Sequence, residues 1–347
     1  MAQGRPLIGM LRWQGRPGAN ALALTHAAAM LGADLLWFTP ADVDLDRQRI
    51  LGWRWRPDGT GWQRQDSRFP DVIDNDGRVR DGGPVWKALT ARAPATTRRL
   101  ADKDEIARRM TAGGFYPELQ LPTEPALDPA AVLRFGADQG EVVLKPLLGS
   151  GGRGLVHLAP AAQGWRIMEG EQEEMLSEQQ LVTHLSQRLA SRPHVMQRYI
   201  LSRSPSGLPF DIRLHVRRNG EGDWVVVKIY ARIGAGRGIA SNIGQGGSIA
   251  APETFLALRH GAEAPAIMAR LKDLARRLPA DFQALFPRRE IDALGFDLGL
   301  DPEGRFWLFE VNAFPGAKYF EIEDAVPRAA YALHVLAKAR SRRAAKA

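Results

Sequence analysis

The chain has 347 residues, of which 45% are hydrophobic and 25% are charged. This length allows two or three compact subdomains with a substantial core. The absence of cysteine excludes disulfide bonds, thiolate metal sites and cysteine nucleophiles. No apolar run is long enough to span a bilayer and the N-terminus lacks the pattern of a signal peptide, so we expect a cytoplasmic protein without a membrane partner.

The net charge of +8 raises the question of a nucleic-acid partner. Part of the excess lies in residues 338–346 (KARSRRAAK), and a short basic tail is usually a solvated terminus. No zinc knuckle, recognition helix or aromatic RNA-binding pattern accompanies the charge. The sequence therefore gives a nucleic-acid partner little support, and an anionic substrate is enough to explain part of the charge.

The first part of the chain has the pattern of a small α/β domain. Residues 6–11 and 33–38 are apolar runs typical of strands, and the alanine-rich residues 18–31 between them have helical spacing. This order predicts a β-α-β unit with a parallel sheet. A hairpin is predicted around residues 57–59, followed by a short strand within 69–74. We assign residues 1–95 to this domain.

The middle of the chain alternates predicted helices and strands. Helices are expected over 96–112 and 130–139, and the polar stretch 169–192 also has helical character. A short buried strand is predicted at 142–144 and a hairpin at 156–167.

Residues 141–155 (EVVLKPLLGSGGRGL) are the most informative stretch of the sequence. A strand ends at Lys145 and leads into a loop with four glycines, at 149, 151, 152 and 154. Glycine lets backbone N–H groups approach phosphate oxygens closely, and the lysine ammonium adds a positive charge. The pattern predicts a loop that covers phosphates, although a glycine cluster alone would equally suit a surface hairpin.

A second informative stretch, residues 295–316 (GFDLGLDPEGRFWLFEVNAFPG), predicts a hairpin that turns at 301–304. Asp297 lies on its first strand, and Glu310 and Asn312 lie two residues apart on its second strand, hence on one face. Hard oxygen ligands of this kind suit magnesium, particularly magnesium that bridges nucleotide phosphates. The hairpin therefore offers an oxygen-only site for one or two Mg²⁺ ions.

These elements together resemble the ATP-grasp superfamily, and in their details its spore-coat-associated YheC/YheD-type branch. The matching segments run roughly from residue 103 to 321 and occur in the family's order: the lysine strand with its glycine loop, Asp-Ile-Arg, Asn followed by Gly-Gly, and Glu-Val-Asn. The resemblance implies an α+β fold in which ATP lies between two α+β subdomains, here 96–200 and 201–347, behind the α/β N-terminal domain.

The resemblance also implies roles for individual residues. An arginine beside phosphates can hold a phosphoryl group bidentately, a role that falls to Arg213, while Arg232 precedes a loop that borders the reacting phosphate in the family. Asp211 is ranked lower, and Lys228 could bind phosphate or face solvent. The implied catalytic set is Arg213, Arg232 and Asn242, and the implied nucleotide-binding set is Lys103, Lys145, Gly149, Ser150, Gly151, Gly152, Gly154, Gln197, Arg198, Tyr199, Ile200, Gly246 and Gly247.

The leading functional hypothesis is an ATP-dependent carboxylate–amine ligase. A carboxylate would attack the γ-phosphorus of ATP, and an amine would displace phosphate from the resulting acyl phosphate. A kinase acting on a hydroxyl compound is the first alternative, and a non-catalytic ATP-binding coat or scaffold protein is the second. The three magnesium ligands together argue against the second alternative. The sequence does not name the carboxylate or amine, whether small molecule or peptide, nor the oligomeric state.

Overall fold

Three β-sheets with their associated helices form the protein. The computed structural model describes residues 4–75, 79, 82–98, 100, 103–147 (at 103 and 104 the backbone alone), 154–236, 238–239 and 246–345. Within these ranges no helix is both long and apolar enough to cross a membrane.

The first sheet lies in the N-terminal part of the chain, and its central strands are parallel. Its strands are β1 (Leu7–Leu11), β2 (Asp34–Phe38), β3 (Val43–Asp44), β4 (Arg49–Trp55), β5 (Trp62–Arg68) and β6 (Val72–Asp74). The order is β3-β4-β2-β1-β6, with β5 paired to β4, and β1 runs parallel to both β2 and β6. Helix α1 (Ala19–Met30) connects β1 to β2, so the predicted β-α-β unit and hairpin are confirmed. Helix α2 (Pro84–Thr90) follows.

The second sheet is antiparallel throughout. Its strands are β7 (Thr123–Pro125), β8 (Val142–Pro146), β9 (Val156–Ala161), β10 (Gly164–Glu169), β11 (Gln172–Leu176) and β12 (His194–Arg198), in the order β11-β10-β9-β8-β12-β7. The helices of this region are α3 (Lys103–Ala112), α4 (Pro129–Gln139) and α5 (Glu178–Ser191). Apolar side chains of α4 and α5 form a core with those of β8, β9 and β12.

Two predicted helices in this region were too long. The helix expected from residue 96 begins at Lys103, because the chain at Thr97 is held elsewhere: its hydroxyl contacts the Asp292 carboxylate and accepts from the Asp292 N–H at 3.0 Å. The stretch 169–192 contains strand β11, which pairs with β10, before helix α5. Ser177 and Gln180 form a capping box that begins α5 at Glu178.

The third sheet carries the candidate site. Its strands are β13 (Phe210–Arg218), β14 (Trp224–Ile233), β15 (Ser248–Ala250), β16 (Ala293–Leu300) and β17 (Phe306–Asn312), all antiparallel in the order β15-β14-β13-β16-β17. Helices α6 (Pro252–His260) and α7 (Ala264–Ala284) cover one face with an apolar core. Short 3₁₀ helices lie at Pro40–Asp42, Pro117–Leu119 and Gly261–Glu263.

Side chains alternate along β13 between two different surroundings. Ile212, Leu214 and Val216 join the apolar core under α7, whereas Arg213 and His215 are buried on the other face among charged partners. Period-two alternation normally separates a core face from a solvated face. Here the polar face is also buried, so its charged side chains need partners within the protein.

The last helix, α8 (Glu321–Ala344), connects the third sheet with the N-terminal domain. Its apolar side chains pack in one cluster with those of α1, β1 and β2. The same helix contacts β13 and β14 through its first half. It therefore fixes the position of the third sheet relative to the first.

Candidate active site

The hairpin of β16 and β17 places the three predicted metal ligands beside one another. Asp297 lies directly opposite Glu310, and Asn312 lies opposite Gly295 on the same pair of strands. The Asn312 side-chain amide donates to Asp297 Oδ2 at 3.1 Å. Asp297 is buried, while Glu310 and Asn312 are half-buried. Two carboxylates and one amide thus border the same space.

Two arginines converge on Asp297 from the neighbouring strands. Arg213 donates to both carboxylate oxygens, at 2.8 Å to Oδ2, and Arg232 reaches Oδ2 at 2.8 Å. Arg232 also donates to both oxygens of Asp211, each at 2.6 Å. All four side chains are buried, and their two positive and two negative charges balance. Asp211, ranked low from the sequence, is thus the partner that holds Arg232 in place.

The charges of Arg213 and Arg232 explain why the buried carboxyl group of Asp297 is ionised. Burial alone would raise the pKa of Asp297, but the neighbouring Arg213 and Arg232 guanidinium groups outweigh it, so the pKa of Asp297 is lowered. Burial works to lower the pKa of Arg232, and the charges of Asp297 and Asp211 reverse this and raise it. Asp297 is therefore available as an anionic ligand at neutral pH.

The donor set fits magnesium by its chemistry. Carboxylate and amide oxygens are the ligands that Mg²⁺ prefers, and Asp297, Glu310 and Asn312 supply them. Among the described residues no cluster of three or more His, Cys, Asp or Glu side chains could hold a metal ion, and this set has two carboxylates and one amide. Asp297 would have to exchange an arginine contact for the ion.

Lys145 lies between the second and third sheets. It contacts the Gln197 carboxamide oxygen on β12, and its ammonium is 6.0 Å from the centre of the Phe309 ring on β17. A break in register after Asp297 leaves Phe309 unpaired in the β16–β17 ladder, which is the arrangement of a β-bulge. A Cβ on Gly299 would lie only 2.1 Å from Cζ of this ring, so Gly299 makes room for it.

Residues 198–200, at the end of β12 and just after it, lie among aromatic rings. The Arg198 guanidinium is 5.7 Å from the centre of the Trp307 ring, and Ile200 is buried in a cluster with Trp307 and Leu121. The Tyr199 ring lies 4.1 Å from the His157 ring, centre to centre. This apolar and aromatic lining suits a nucleotide base.

The model of the family described as YheC/D like ATP-grasp matches residues 92–338. The chain belongs to this family. The recognition made from the sequence motifs is thereby confirmed.

Relatives and solved structures agree with this YheC/D-like ATP-grasp assignment. Endospore coat-associated protein YheC of Bacillus subtilis (strain 168) is 21% identical over 311 residues, which cover 85% of this chain and 84% of YheC. Endospore coat-associated protein YheD of the same strain is 32% identical over 116 residues, 33% of this chain and 24% of YheD.

Three solved structures share the overall fold. D-cycloserine synthetase DcsG has a TM-score of 0.55 at 13% identity, covering 96% of this chain and 99% of its own. N5-carboxyaminoimidazole synthase from Aspergillus clavatus has a TM-score of 0.56 at 13% identity, and the match covers 94% of this chain and 77% of the synthase chain. The ATP-grasp ligase PsnB with minimal precursor has a TM-score of 0.54 at 14% identity, and the match covers 96% of this chain and 100% of the PsnB chain. They confirm the predicted α+β ATP-grasp fold.

The predicted site residues of this YheC/D-like ATP-grasp protein divide into those within the described residues and those outside them. Gly149, Ser150, Gly151, Gly152 and Asn242 lie outside the described residues, as does the side chain of Lys103, whose backbone begins α3.

The two glycine-rich segments are described in part, and the described residues include Gly154, Gly246 and Gly247. Gly154 has φ +74°, and a Cβ there would lie 2.5 Å from Nη2 of Arg192. Gly246, with φ +91°, and the buried Gly247 precede Ser248, which pairs with Ile233. Arg232 lies opposite Ile249, so Gly247 is two residues away along the same ladder. The alternative phosphate ligand Lys228 instead pairs with Glu323 at 2.9 Å on the surface.

Sequence reasoning missed a buried ionic network behind the site. Asp324 of α8 accepts from His215 Nε2 at 2.8 Å and also contacts the Arg217 guanidinium. Arg217 donates in turn to Asp292 at 3.0 Å. His215 is two residues from Arg213 on β13, so the network begins directly beside the arginines of the site. The alternation of charged residues along β13 was the only sequence signal for it.

The same network extends into the N-terminal domain. Arg328, one turn after Asp324 on α8, donates to both oxygens of Asp74, at 3.0 and 2.7 Å. Arg12, which follows β1, donates to Asp74 at 2.9 Å. Asp74 is fully buried and lies at the carboxyl end of β6. Ion pairs thus connect the N-terminal sheet to the strand that carries Arg213.

The pH dependence of stability should report on His215. Burial lowers the pKa of His215 despite its hydrogen bond to Asp324. A histidine with a lowered folded-state pKa contributes stability above its unfolded pKa of about 6.5, and this is lost as the pH falls through the lower value. We expect the free energy of unfolding, measured by urea denaturation, to fall between pH 7 and 5. The fall should be smaller in His215→Gln, and an equal fall in both proteins would contradict the assignment.

Proposed function

We propose that this chain is an ATP- and Mg²⁺-dependent ligase that joins a carboxylate to an amine. The observation that carries the proposal is the convergence of Arg213 and Arg232 on Asp297, directly across from Glu310. The names of the structural neighbours support it, since they include a synthetase and an ATP-grasp ligase. PsnB was also solved with Mg and ADP, at a TM-score of 0.51 and 13% identity, covering 97% of this chain and 99% of its own.

In the proposal ATP lies between the second and third sheets. The base lies against Arg198, Tyr199 and Ile200, and the Lys145 ammonium attracts the phosphates near the loop that ends at Gly154. Lys145 is well placed for this role because it bridges from Gln197 on one sheet to Phe309 on the other. Magnesium, held by Asp297, Glu310 and Asn312, would neutralise phosphate charge.

The two arginines act on the transferred phosphoryl group. A substrate carboxylate oxygen attacks the γ-phosphorus, the bond to the β,γ-bridging oxygen breaks, and ADP leaves. Arg213 and Arg232 turn from Asp297 towards the phosphoryl oxygens and stabilise their charge. The amine nitrogen then attacks the acyl carbon, phosphate leaves, and the amine proton passes to solvent. Asp211 keeps Arg232 oriented throughout.

We also propose the domain boundaries, the class of substrates and the cellular location of the protein. The three units are residues 1–95, 96–200 and 201–347, with α8 closing back on the first. The substrates are small-molecule or peptide carboxylates and amines, and the location is cytoplasmic.

Product analysis tests the reaction. The purified protein is incubated with Mg²⁺, ATP and a pool of small carboxylates, amines and peptides, and new masses are scored by mass spectrometry together with ADP and AMP. A product lighter than its two reactants by one water, formed with ADP, is expected. A substrate that gains a phosphoryl group would overturn the ligase in favour of a kinase. Reactions without ATP are the control.

Lys145→Met should weaken ATP binding by about 10-fold or more, since a charge-assisted hydrogen bond contributes about 1.5–3 kcal/mol. Isothermal titration calorimetry with Mg²⁺ and ATP measures the dissociation constant. Lys228→Met is the matched control, because this strand lysine pairs with Glu323 on the surface, and its affinity should change less than about twofold. Equal losses in the two variants would contradict the role of Lys145.

A further inference from the structure

A pocket of about 350 Å³ lies between the N-terminal domain and the end of α8. Its apolar part contains Phe69 and Leu336, both buried, with Pro70 beside them. Four arginines also line the pocket: Arg68, Arg92, Arg340 and Arg343. The volume lies at the small end of the range of small-molecule sites, about 300–1,000 Å³.

The charges of the pocket are strongly unbalanced. Four arginines line it, and Asp71 is the one acidic residue among its described lining residues. Arg68 donates to Asp71 at 2.6 Å, while Arg340 is 4.0 Å from the other Asp71 oxygen. Although burial acts to raise the pKa of Asp71, Arg68 and the Leu7 amide outweigh it, and the pKa is lowered. Asp71 is therefore charged at neutral pH and offsets only part of the positive charge.

Two of the arginines are held in place by neutral groups. Arg92 donates to the Gln48 carboxamide oxygen, and its guanidinium lies 5.6 Å from the centre of the Phe69 ring. Arg343 donates to the Arg92 carbonyl oxygen at 2.8 Å. A guanidinium has more N–H donors than these contacts use, so further donors remain for a ligand. Gln48, which orients Arg92, has the uncommon φ of +56° for a residue other than glycine.

The pocket is separate from the candidate active site. Phe69, Pro70 and Asp71 precede β6, whereas Asp74 at the opposite end of β6 joins the ionic network of the site. Along α8, Arg340 is sixteen residues beyond Asp324, which corresponds to about 24 Å of helix. A ligand here would not touch the residues proposed for catalysis.

We propose that this pocket binds a phosphate monoester, with its phosphoryl dianion between the four guanidinium groups and its organic part against Phe69, Pro70 and Leu336. The excess of positive charge favours a dianion over a single carboxylate, and arginine recognises phosphate through paired N–H donors. Because Arg92 belongs to the N-terminal domain and Arg343 to α8, the ligand joins α8 to that domain.

Calorimetric titration of the full-length protein with phenyl phosphate tests the proposal, at constant ionic strength set with sodium chloride. Arg92→Gln and Arg343→Gln should each weaken binding by about 10-fold. Arg340→Gln, at a side chain that is 54% exposed, gives a third variant whose folding is not at risk. Phenyl phosphate should bind about 10-fold more tightly than inorganic phosphate because of the apolar part of the pocket.

Two further variants separate this pocket from the nucleotide site and from general surface charge. Lys145→Met should leave phenyl phosphate binding unchanged, as should Arg276→Gln, which removes one exposed positive charge on α7. Binding that is lost in Lys145→Met but kept in the pocket variants would overturn the proposal, as would an equal loss in Arg276→Gln. No binding, or equal affinity for both phosphates, would also overturn it.

Discussion

Glu310→Gln is expected to lower ATP turnover by about 10³-fold while leaving the fold intact. Glutamine has nearly the same shape as glutamate, so the substitution removes a negative charge and one ionic oxygen ligand with little change in packing. Glu310 lies directly across from Asp297. In the proposed site both carboxylates would offset the positive charge of a bound Mg²⁺ ion. Turnover is measured as ADP release with the substrates found by product analysis, and folding by circular dichroism and thermal unfolding.

Glu303→Gln is the matched control for this experiment. Glu303 is an exposed acid in the turn of the same β16–β17 hairpin, so the variant changes the same charge on the same element away from the site. Its turnover should equal that of the unmodified protein. Unchanged turnover in Glu310→Gln would contradict the metal assignment. An equal loss of turnover in Glu303→Gln would show that the charge of the hairpin, and not metal binding by Glu310, controls the rate.

Asp324→Asn is expected to reduce the free energy of unfolding by about 3–5 kcal/mol, the usual cost of removing one partner from a buried ion pair. Asp324 is 2% exposed and interacts with His215 and Arg217, and its second oxygen lies 3.7 Å from Arg328. Without its charge, the Arg217 and Arg328 guanidinium groups each lose one of their two acidic partners. Urea denaturation followed by tryptophan fluorescence measures the change.

The neighbouring residue supplies the control for Asp324→Asn. Glu323 pairs with Lys228 at 2.9 Å but is 51% exposed, so Glu323→Gln should cost less than about 1 kcal/mol. Both variants remove one negative charge from the first turn of α8, which makes any effect on the helix dipole common to them. Similar losses of stability in the two variants would contradict the importance of the buried network.

Much of the site could be predicted where it depended on neighbouring residues of the chain. The spacing of Glu310 and Asn312 places both on one face of a strand wherever that strand packs. Pairing of β16 with β17 needs only a short turn, so the hairpin could be predicted, whereas Asp297 faces Glu310 only because of the bulge at Phe309. The lysine strand before the glycine loop was similarly recognisable from a local pattern.

Other features could not be predicted because they depend on distant segments. Arg232 meets Asp211 and Asp297 through the register of three strands, and a shift of one residue would turn its side chain to the other face. The start of α3 depends on the bond between Thr97 and Asp292, which are 195 residues apart. The predicted start of the helix at residue 96 was wrong for that reason, whereas its predicted end at residue 112 is confirmed.

The pattern of residues 295–316 was enough to predict the β16–β17 hairpin, and the ordered motifs were enough to recognise the family, because a turn and each motif consist of residues close together in the chain. Only the tertiary structure decided which buried charges meet. Asp74 and Arg328 are 254 residues apart, and no local pattern indicates that they pair. A buried charge is stable only with a partner, and packing of the whole chain selects that partner.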